Sequence, residues 1–253
     1  MSGGGWAAGT GCRIERLGAV RSTNTVALER ARAGEPGGLW IVADEQTAGR
    51  GRHGRQWHSP RGNLHATRLV VAAPPLARLT GLAFVAAVAL HEAVSGVLGE
   101  DARASLVLKW PNDLIAGGGK LAGILVEAEE RGGDLAAAVG IGVNVARTAQ
   151  EGAASLAGLG ADLTADEMFD RLGPTFEGWL GRWDGGAGFA AVRAAWLAGA
   201  APFGTPVRVR AGRETIAGRF AGLDDDGALL VGLADGRVRR IAAGEVMMAG
   251  EPG

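Results

Sequence analysis

The sequence predicts an α+β protein, in which helices flank a central mixed or antiparallel sheet and a small β-barrel follows. Apolar, β-favouring runs recur in close succession between residues 14 and 145, which indicates a multi-stranded sheet. Helical patterns between and after these runs supply helices that can pack on it. Beyond residue 204 the pattern changes to short strands separated by turns such as D-D-D-G, which is typical of small barrels. We therefore expect two domains, residues 1–200 and 201–253.

The strands of the larger domain are predicted from runs rich in aliphatic residues. They cover residues 14–20, 39–43, 63–72, 106–109, 114–115, 120–127 and 135–145. Pro111 follows the fourth run and lacks the backbone N–H that a continuing ladder would need. The barrel is assigned to shorter runs at residues 207–209, 214–223, 228–231, 238–241 and 246–248.

Helices are predicted where the apolar residues recur with a helical period. The predicted helices cover residues 25–33, 76–98, 164–183 and 189–197. S-T-N at residues 22–24 provides an N-cap for the first helix, and the proline pair at residues 74–75 breaks the chain before the second. The third begins with a T-x-x-E capping box, Thr164 to Glu167, and Gly173-Pro174 predicts a break within it.

Composition excludes several classes of protein. The chain of 253 residues is 47% hydrophobic with a formal net charge of −1, which argues against an electrostatic nucleic-acid binder. Cys12 is the only cysteine, so neither a disulfide framework nor a cysteine metal site is expected. The first ten residues lack the basic start and apolar core of a signal peptide. His91 and Glu92 interrupt the most apolar window, residues 79–98, so we expect a buried helix there, no membrane span and a cytoplasmic protein.

The segment Q-T-A-G-R-G-R-H-G-R-Q-W, residues 46–57, combines glycines with Arg50, Arg52 and Arg55. Glycine permits backbone bends and close approach to a ligand, and the arginine fork matches phosphate or carboxylate. We interpret the segment as a loop that wraps a small anion; a solvated basic turn or a nucleic-acid contact would use the same residue types. Its G-x-G-x-x-G match to a dinucleotide-binding fingerprint fails, because no helical period follows and residues 68–76 contain no Asp or Glu.

Lysine and asparagine are scarce in this chain. Of the 26 basic residues, only Lys109 and Lys120 are lysines. The asparagines are Asn24, Asn63, Asn112 and Asn144. Lys120 opens an apolar strand, where it is either a solvated strand end or a compact, mobile ammonium retained by a site. Asn144 ends a buried apolar strand, where a purine edge would satisfy its amide.

Five motifs follow one another along the chain: S-T-N, Q-T-A-G-R-G-R-H-G-R-x-W, K-W-P-N-D, G-K-L-A-G-I-L-V-E and G-I-G-V-N-V. In this order, with the β-rich segment after them, they resemble the biotin–protein ligases over about residues 13–250. The resemblance implies a catalytic domain like that of class II aminoacyl-tRNA synthetases and biotin–lipoate ligases, followed by an SH3-like barrel. It also implies that biotin attacks ATP to give biotinyl-5′-AMP and pyrophosphate. A lysine of a carrier protein then takes the biotin and releases AMP, without an enzyme nucleophile.

The resemblance assigns roles to residues at matching positions. Lys120, Arg52 and Arg55 are the expected catalytic cations, with Lys120 where the biotin carboxylate meets the α-phosphate. The residues expected to bind biotin are Ser22, Thr23, Asn24, Gln46, Arg50, Gly51, Arg52, Trp57, Lys120 and Gly123. Those expected to bind ATP or the adenylate are Arg50, Arg52, Arg55, Lys120, Asn112 and Asn144, the last against adenine. Mg²⁺ accompanies the triphosphate, and Asp113 is the one candidate ligand for it.

Two positions depart from the family pattern. His53 stands where another arginine is common, and H-A-T at residues 65–67 where an aromatic-Ala-Ser is common. Only 21 residues precede Ser22, so we expect the monofunctional type without a DNA-binding domain. The expected partner is the biotin carboxyl carrier protein of acetyl-CoA carboxylase or of another biotin-dependent carboxylase. Neither DNA nor a membrane is expected as a partner, and a homodimer is compatible with the resemblance.

Two alternative functions remain open at this point. A lipoate ligase or octanoyl transferase shares the architecture, although thioester-type octanoyl transfer needs a placed cysteine, and Cys12 has no histidine near it in sequence. A nucleotide- or nucleic-acid-binding module could use the arginine loop, although the near-neutral charge weighs against it. His53, His58 and His65 lack the spacing and the carboxylates of a metal site.

Overall fold

The computed structural model describes residues 12–72, 79–146, 148 and 151–248. Its helices are α1 (Thr23–Arg32), α2 (Leu79–Ser95), α3 (Glu100–Ala104), α4 (Ala165–Trp183) and α5 (Phe189–Gly199). The strands up to residue 143 are β1 (Arg13–Val20), β2 (Leu39–Gln46), β3 (Leu64–Ala72), β4 (Val107–Lys109), β5 (Asp113–Ala116), β6 (Gly119–Arg131) and β7 (Asp134–Val143). Those after α5 are β8 (Pro206–Ala211), β9 (Glu214–Leu223), β10 (Leu229–Gly232), β11 (Val238–Ile241) and β12 (Glu245–Met248).

The described strands form two sheets. The larger has the order β1-β2-β3-β7-β6-β5-β4, in which β1 and β2 are parallel and the other neighbours are antiparallel. The smaller has the order β11-β10-β9-β8-β12 and is antiparallel throughout. The predicted fold class, a mixed sheet with helices followed by a small all-β unit, is therefore confirmed.

One face of the larger sheet is covered by α2 and α4. Helix α2 is buried along most of its length, which explains why it is apolar on all sides. Trp40 of β2 packs edge-to-face against Phe169 and Phe176 of α4, with centroid separations of 5.3 and 5.1 Å. These contacts place the main core between the sheet and the two helices.

Arg68 of β3 is a charged side chain inside this apolar layer and is 2% exposed. Its Nε donates to Glu177 Oε1 at 2.6 Å and its Nη2 to Glu177 Oε2 at 3.0 Å, and Trp40 Nε1 also donates to this carboxylate. Burial would raise the pKa of Glu177, but the hydrogen bonds and charge of Arg68, with bonds from Cys12 and Trp40, lower it overall. A buried pair needs this degree of hydrogen bonding to offset its lost hydration.

The opposite face of the sheet is covered only in part. Helix α1 packs Ala27, Leu28 and Ala31 there, against β-strand residues that include Leu69 and Ala138. Its N-terminal end reaches β7, where the side chain of Asn24 packs directly on the backbone of Gly140. The remainder of this face, toward β6 and β5, is left open beside the N-terminus of α1.

Two details differ from the sequence-based expectation. The break predicted at Gly173-Pro174 is wrong: α4 is continuous, since buried side chains on both sides of the proline hold its axis against the core. The short helix α3 was missed. The proline pair at residues 74–75 and the predicted helix start at residue 76 lie outside the described residues. The predicted capping box is present: the Thr164 hydroxyl accepts from the Glu167 N–H, and the Glu167 carboxylate accepts from the Thr164 N–H.

Among the described residues, no helix combines the length and apolarity that crossing a membrane requires.

The smaller sheet is anchored to the larger part of the chain. Trp110, in the turn between β4 and β5, donates its indole N–H to the carbonyl of Gly227 at 3.1 Å. Gly227 lies against the rings of Phe84 and Phe189, where a Cβ would approach to 2.8 and 3.1 Å. Strand β12 is thereby held beside the open face of the larger sheet.

Candidate active site

A cavity of about 250 Å³ opens between the N-terminus of α1, the loop of residues 46–57, strands β5 to β7 and the start of β12. It collects residues that lie far apart in sequence, because the sheet brings the ends of these elements together. The predicted site residues that line it are Ser22, Thr23, Asn24, Gln46, Arg50, Gly51, Arg52, Arg55, Trp57, Asn112, Asp113, Lys120 and Gly123. Asn144 is the predicted site residue that does not line it.

A polar network fixes one end of the cavity. Thr23 donates its backbone N–H and its hydroxyl to Gln46 Oε1, at 2.9 and 3.1 Å. Gln46 Nε2 donates to Ser59 Oγ at 2.9 Å, so the amide is held at both ends. Ser22 is buried at the N-cap of α1, yet its hydroxyl makes no capping bond and is available to a ligand. This end suits a small ligand group that both donates and accepts hydrogen bonds.

Beyond the network, Trp57 forms one wall of the cavity, and we call the space beside its indole ring the slot. Its indole ring covers Gly142 of β7, where a Cβ would lie 2.4 Å from Nε1, and approaches Gly123 of β6. The indole Nε1 is buried and has no hydrogen-bond partner among the described residues. Glycines at these strand positions therefore make room for an aromatic wall directly above the backbone.

Lys120 lies at the other end of the slot. Its Nζ lies 2.7 Å from Asp113 Oδ1, so the two side chains form an ion pair, although their alignment is not that of a hydrogen bond. The same Nζ lies 5.3 Å from the centroid of the Trp57 ring. The side chain is 37% exposed, so the ammonium can turn toward an incoming anion. A compact cation at the mouth of an apolar slot is suited to the carboxylate end of a ligand.

The loop of residues 46–57 forms a small hairpin over the cavity. Arg50 and Gln56 form a β-bridge at its base, and the Gly51 N–H donates to the Arg55 carbonyl at 2.7 Å. His53 sits exposed at the tip with a φ of 57°, a conformation that is uncommon for a residue with a side chain. His53 does not line the cavity.

The arginines of the hairpin all have protein partners. Arg52 donates to Asn112 Oδ1 at 3.3 Å and to the carbonyl of Gly244 at 3.2 Å. Burial lowers the pKa of the Arg52 guanidinium, against opposing contributions from Asp113 and Glu245, and arginine stays charged in any case. Arg55 pairs with Glu245 at 2.6 Å, so the smaller sheet supplies partners for the hairpin tip.

The role predicted for Asn144 is not supported by its geometry. Its Nδ2 donates to the backbone carbonyls of Lys120 at 3.2 Å and Ala154 at 3.0 Å, which commits both N–H donors of the amide, and an adenine edge would need one of them. A buried amide must be hydrogen-bonded, and the neighbouring backbone supplies the partners. Asn144 therefore braces the start of β6, where Lys120 is located.

Asp113 stays a single predicted ligand for magnesium, without a cluster of protein ligands around it in the described part of the chain. No group of three or more histidine, cysteine or carboxylate side chains is arranged for a metal among the described residues. Of the carboxylates that line the cavity, Asp113 faces Lys120, and Glu245 is shared by Arg55 and Arg210. Both carboxylates that line the cavity therefore face cationic side chains.

Sequence reasoning missed several residues of the site. Gly140 and Gly142 line the cavity, and their alternation in a buried strand was a usable signal of close approach. Thr67, which bonds to Thr23 and Asn24 at 2.7 Å, was noted only as a departure from a pattern. Glu245 gave no signal, because its contact with the hairpin spans most of the chain.

Comparisons with known proteins identify the same two parts of the chain. A model of the biotin/lipoate A/B protein ligase family matches residues 17–144, and a model of the biotin protein ligase C terminal domain matches residues 203–248. The chain is 42% identical to a biotin–[acetyl-CoA-carboxylase] ligase of Paracoccus denitrificans, over 92% of this chain and 100% of that protein. It is 31% identical to a bifunctional ligase/repressor of Bacillus subtilis, over 90% of this chain and 71% of that protein.

A solved structure agrees with the sequence comparisons. Biotin protein ligase from Aquifex aeolicus in complex with biotin and ATP matches with a TM-score of 0.75 and 27% identity, over 93% of this chain and 97% of that one. The shared fold, the matched models and the convergence of the five motifs on one cavity lead to a single assignment. The chain belongs to the biotin/lipoate A/B protein ligase family.

Proposed function

We propose that the protein is an ATP-dependent biotin–protein ligase, which makes biotinyl-5′-AMP and transfers biotin to a lysine of a carrier protein. The observation that carries this proposal is the order of groups along the cavity: a hydrogen-bonding end at Gln46, an aromatic slot at Trp57 and a cation at Lys120. Biotin has a ureido ring, an apolar chain and a carboxylate in the same order. The relatives from Paracoccus denitrificans and Aquifex aeolicus are named as ligases of biotin, which favours biotin over lipoate.

The geometry supports a separate role for each of the site residues in binding biotin. Thr23 and Gln46 receive the ureido group, and Trp57 covers the apolar ring and chain. The biotin carboxylate then lies at Lys120. The Lys120 ammonium turns away from Asp113 and offsets the repulsion between the biotin carboxylate and the α-phosphate. A carboxylate oxygen attacks the α-phosphorus, and the bond to pyrophosphate breaks with its electron pair. The amine of the carrier lysine attacks the acyl carbon, loses a proton to solvent and displaces AMP.

The proposed partners and boundaries extend this assignment. We propose that ATP enters as its magnesium complex, with the metal held mainly by phosphate oxygens and with Asp113 as the one protein ligand after Lys120 has turned to the biotin carboxylate. The carrier is the biotin carboxyl carrier protein of acetyl-CoA carboxylase or of a related carboxylase. Four further expectations stay predictions: the domain division near residue 200, the cytoplasmic location, the absence of DNA binding and the homodimer.

The proposal is tested by incubating the protein with ATP, biotin and an apo-carrier fragment. We expect biotin-dependent pyrophosphate release and a mass increase of one biotinyl group on one carrier lysine. A parallel reaction contains lipoate in place of biotin. Release of pyrophosphate with lipoate but not with biotin would overturn the proposal in favour of a lipoate ligase.

Replacing Gly142 with alanine should weaken biotin binding about tenfold or more, because its Cβ would displace the Trp57 ring. Isothermal titration calorimetry with biotin measures the change. Gly18→Ala is the matched control, since Gly18 also lies in the larger sheet and a Cβ there would meet nothing within 4 Å. Equal biotin affinity in the two variants would contradict the placement of biotin under Trp57.

Replacing Arg52 with alanine should increase free biotinyl-5′-AMP in solution about tenfold, if its contacts are worth ~1.4 kcal/mol. Arg52 ties the hairpin to Asn112 and Gly244, and without it the hairpin no longer closes over the intermediate. Chromatography of a reaction without carrier measures the released adenylate. Arg61→Ala, an exposed arginine paired with Asp44, is the control; the same release from both variants would argue against a closing role.

A further inference from the structure

We propose that Glu127 is a positioning residue for biotin binding, a role that rests on the proposed function. Glu127 lies on β6, seven residues after Lys120, and does not itself line the cavity. Its carboxylate instead contacts two elements that border the cavity, the hairpin of residues 46–57 and the first turn of α1. Each of those contacts orients a residue that does line the cavity.

The first contact is with the base of the arginine hairpin. Arg50 Nη2 donates to Glu127 Oε2 at 2.8 Å and to Oε1 at 3.1 Å, while its Nη1 donates to Thr25 Oγ1 at 3.0 Å. Arg50 also forms the β-bridge with Gln56 that closes the hairpin. A side chain fixed at this point therefore fixes the base of the hairpin, next to Trp57.

The second contact is with the first turn of α1. Asn24 Nδ2 donates to Glu127 Oε2 at 2.8 Å and to the Leu125 carbonyl at 3.1 Å. Asn24 Oδ1 accepts from Thr67 Oγ1 at 2.7 Å. The amide of Asn24 is thus committed to the protein, and it holds the N-terminus of α1 at the polar end of the cavity.

One carboxylate therefore sets the distance between the hairpin base and the start of α1. Both elements contribute walls to the biotin end of the cavity, whereas the hairpin tip is held separately by Glu245 and Gly244. Glu127 therefore preorganises the biotin end and leaves the nucleotide end unaffected. Preorganisation increases affinity because less ordering remains to be done on binding.

The chain offers a matched control for this role. Glu129 lies two residues further along β6, on the same face, and pairs with Arg32 at the other end of α1. A substitution at either position removes a carboxylate that joins β6 to α1. Only Glu127 also reaches the hairpin, so the two variants separate positioning of the site from simple attachment of the helix.

The test compares Glu127→Gln with Glu129→Gln in the full chain. Glutamine keeps the shape but loses the charge, so Glu127→Gln should raise the Kd for biotin about tenfold. The KM for ATP at saturating biotin should be unchanged in both variants, and Glu129→Gln should bind biotin like the wild type. Equal biotin affinity in the two variants, or a change in the KM for ATP of the same size, would overturn the inference.

A second measurement separates failure of the inference from failure of the proposed function. Hydrogen exchange of the ligand-free proteins reports hairpin order without any substrate. Amides of residues 50–57 should exchange faster in Glu127→Gln than in Glu129→Gln or the wild type. Unchanged exchange overturns the positioning role. A wild type that binds no biotin while the exchange difference is present overturns the proposed function alone.

Discussion

Replacing Lys120 with alanine should slow the formation of biotinyl-5′-AMP by about two to three orders of magnitude, the usual effect of removing one preorganised charge partner. Lys120 lies at the end of the slot where carboxylate and α-phosphate must meet, and the charged partner of its ammonium, Asp113 at 2.7 Å, is itself an anion. Without the ammonium, Asp113 adds to the repulsion that the reaction has to overcome. Biotin affinity should fall much less, because Gln46 and Trp57 remain.

The Lys120 prediction is measured as biotin-dependent pyrophosphate release, with biotin affinity determined in parallel. Lys120→Arg is the informative companion, because it keeps the charge but replaces a compact ammonium by a planar fork. We expect Lys120→Arg to remain well below the wild-type rate. Equal rates in the wild type and Lys120→Ala would remove Lys120 from the chemistry.

Replacing Arg68 with alanine should lower the free energy of unfolding by about 3–5 kcal/mol, the cost of breaking a buried ion pair on one side. Arg68 is 2% exposed and bonds twice to Glu177, which would be left charged in the layer between β3 and α4. Urea denaturation followed by tryptophan fluorescence measures the loss. The double variant Arg68→Met, Glu177→Gln should lose less, because no uncompensated charge remains; a larger loss in the double variant would contradict this account.

The same pair predicts a pH dependence. The folded-state pKa of Glu177 lies below its ordinary value, so its contribution to stability is present above the unfolded-state pKa. The contribution is lost as the pH falls through the lowered folded-state pKa. In Arg68→Ala that contribution is absent, so the stability difference from the wild type should be largest near neutral pH and should shrink in acid.

The fold was predictable because its determinants are local. Alternating and continuous apolar runs located every strand of the larger sheet, and the Thr164 to Glu167 capping box marked the start of α4. The continuity of α4 through Pro174 was not predictable, since it depends on core packing that a local proline rule ignores. The parallel pairing of β1 with β2 is likewise a tertiary property.

The grouping of the predicted residues around one cavity was more predictable than the contacts among them. Scarcity of asparagine drew attention to these segments, yet the structure uses the asparagine amides mainly to brace backbone. Asn63 accepts from the N–H groups of Val145 and Ala146, and Asn112 donates to the Ile124 carbonyl. Whether an amide reads a ligand or secures a strand depends on neighbours that only the fold supplies.

The position of the lysines has a consequence for the chemistry of a leaked intermediate. Both lysines of the chain, Lys109 and Lys120, line the cavity, and the other basic side chains outside histidine are arginines. An acyl-adenylate is an electrophile toward amines, and a guanidinium that stays protonated does not trap it. Biotinyl-adenylate that diffuses away thus meets no further lysine on the enzyme that made it. Its amine targets are the lysines of surrounding proteins. If the hairpin fails to close, biotinylation should therefore increase on those proteins more than on the ligase itself.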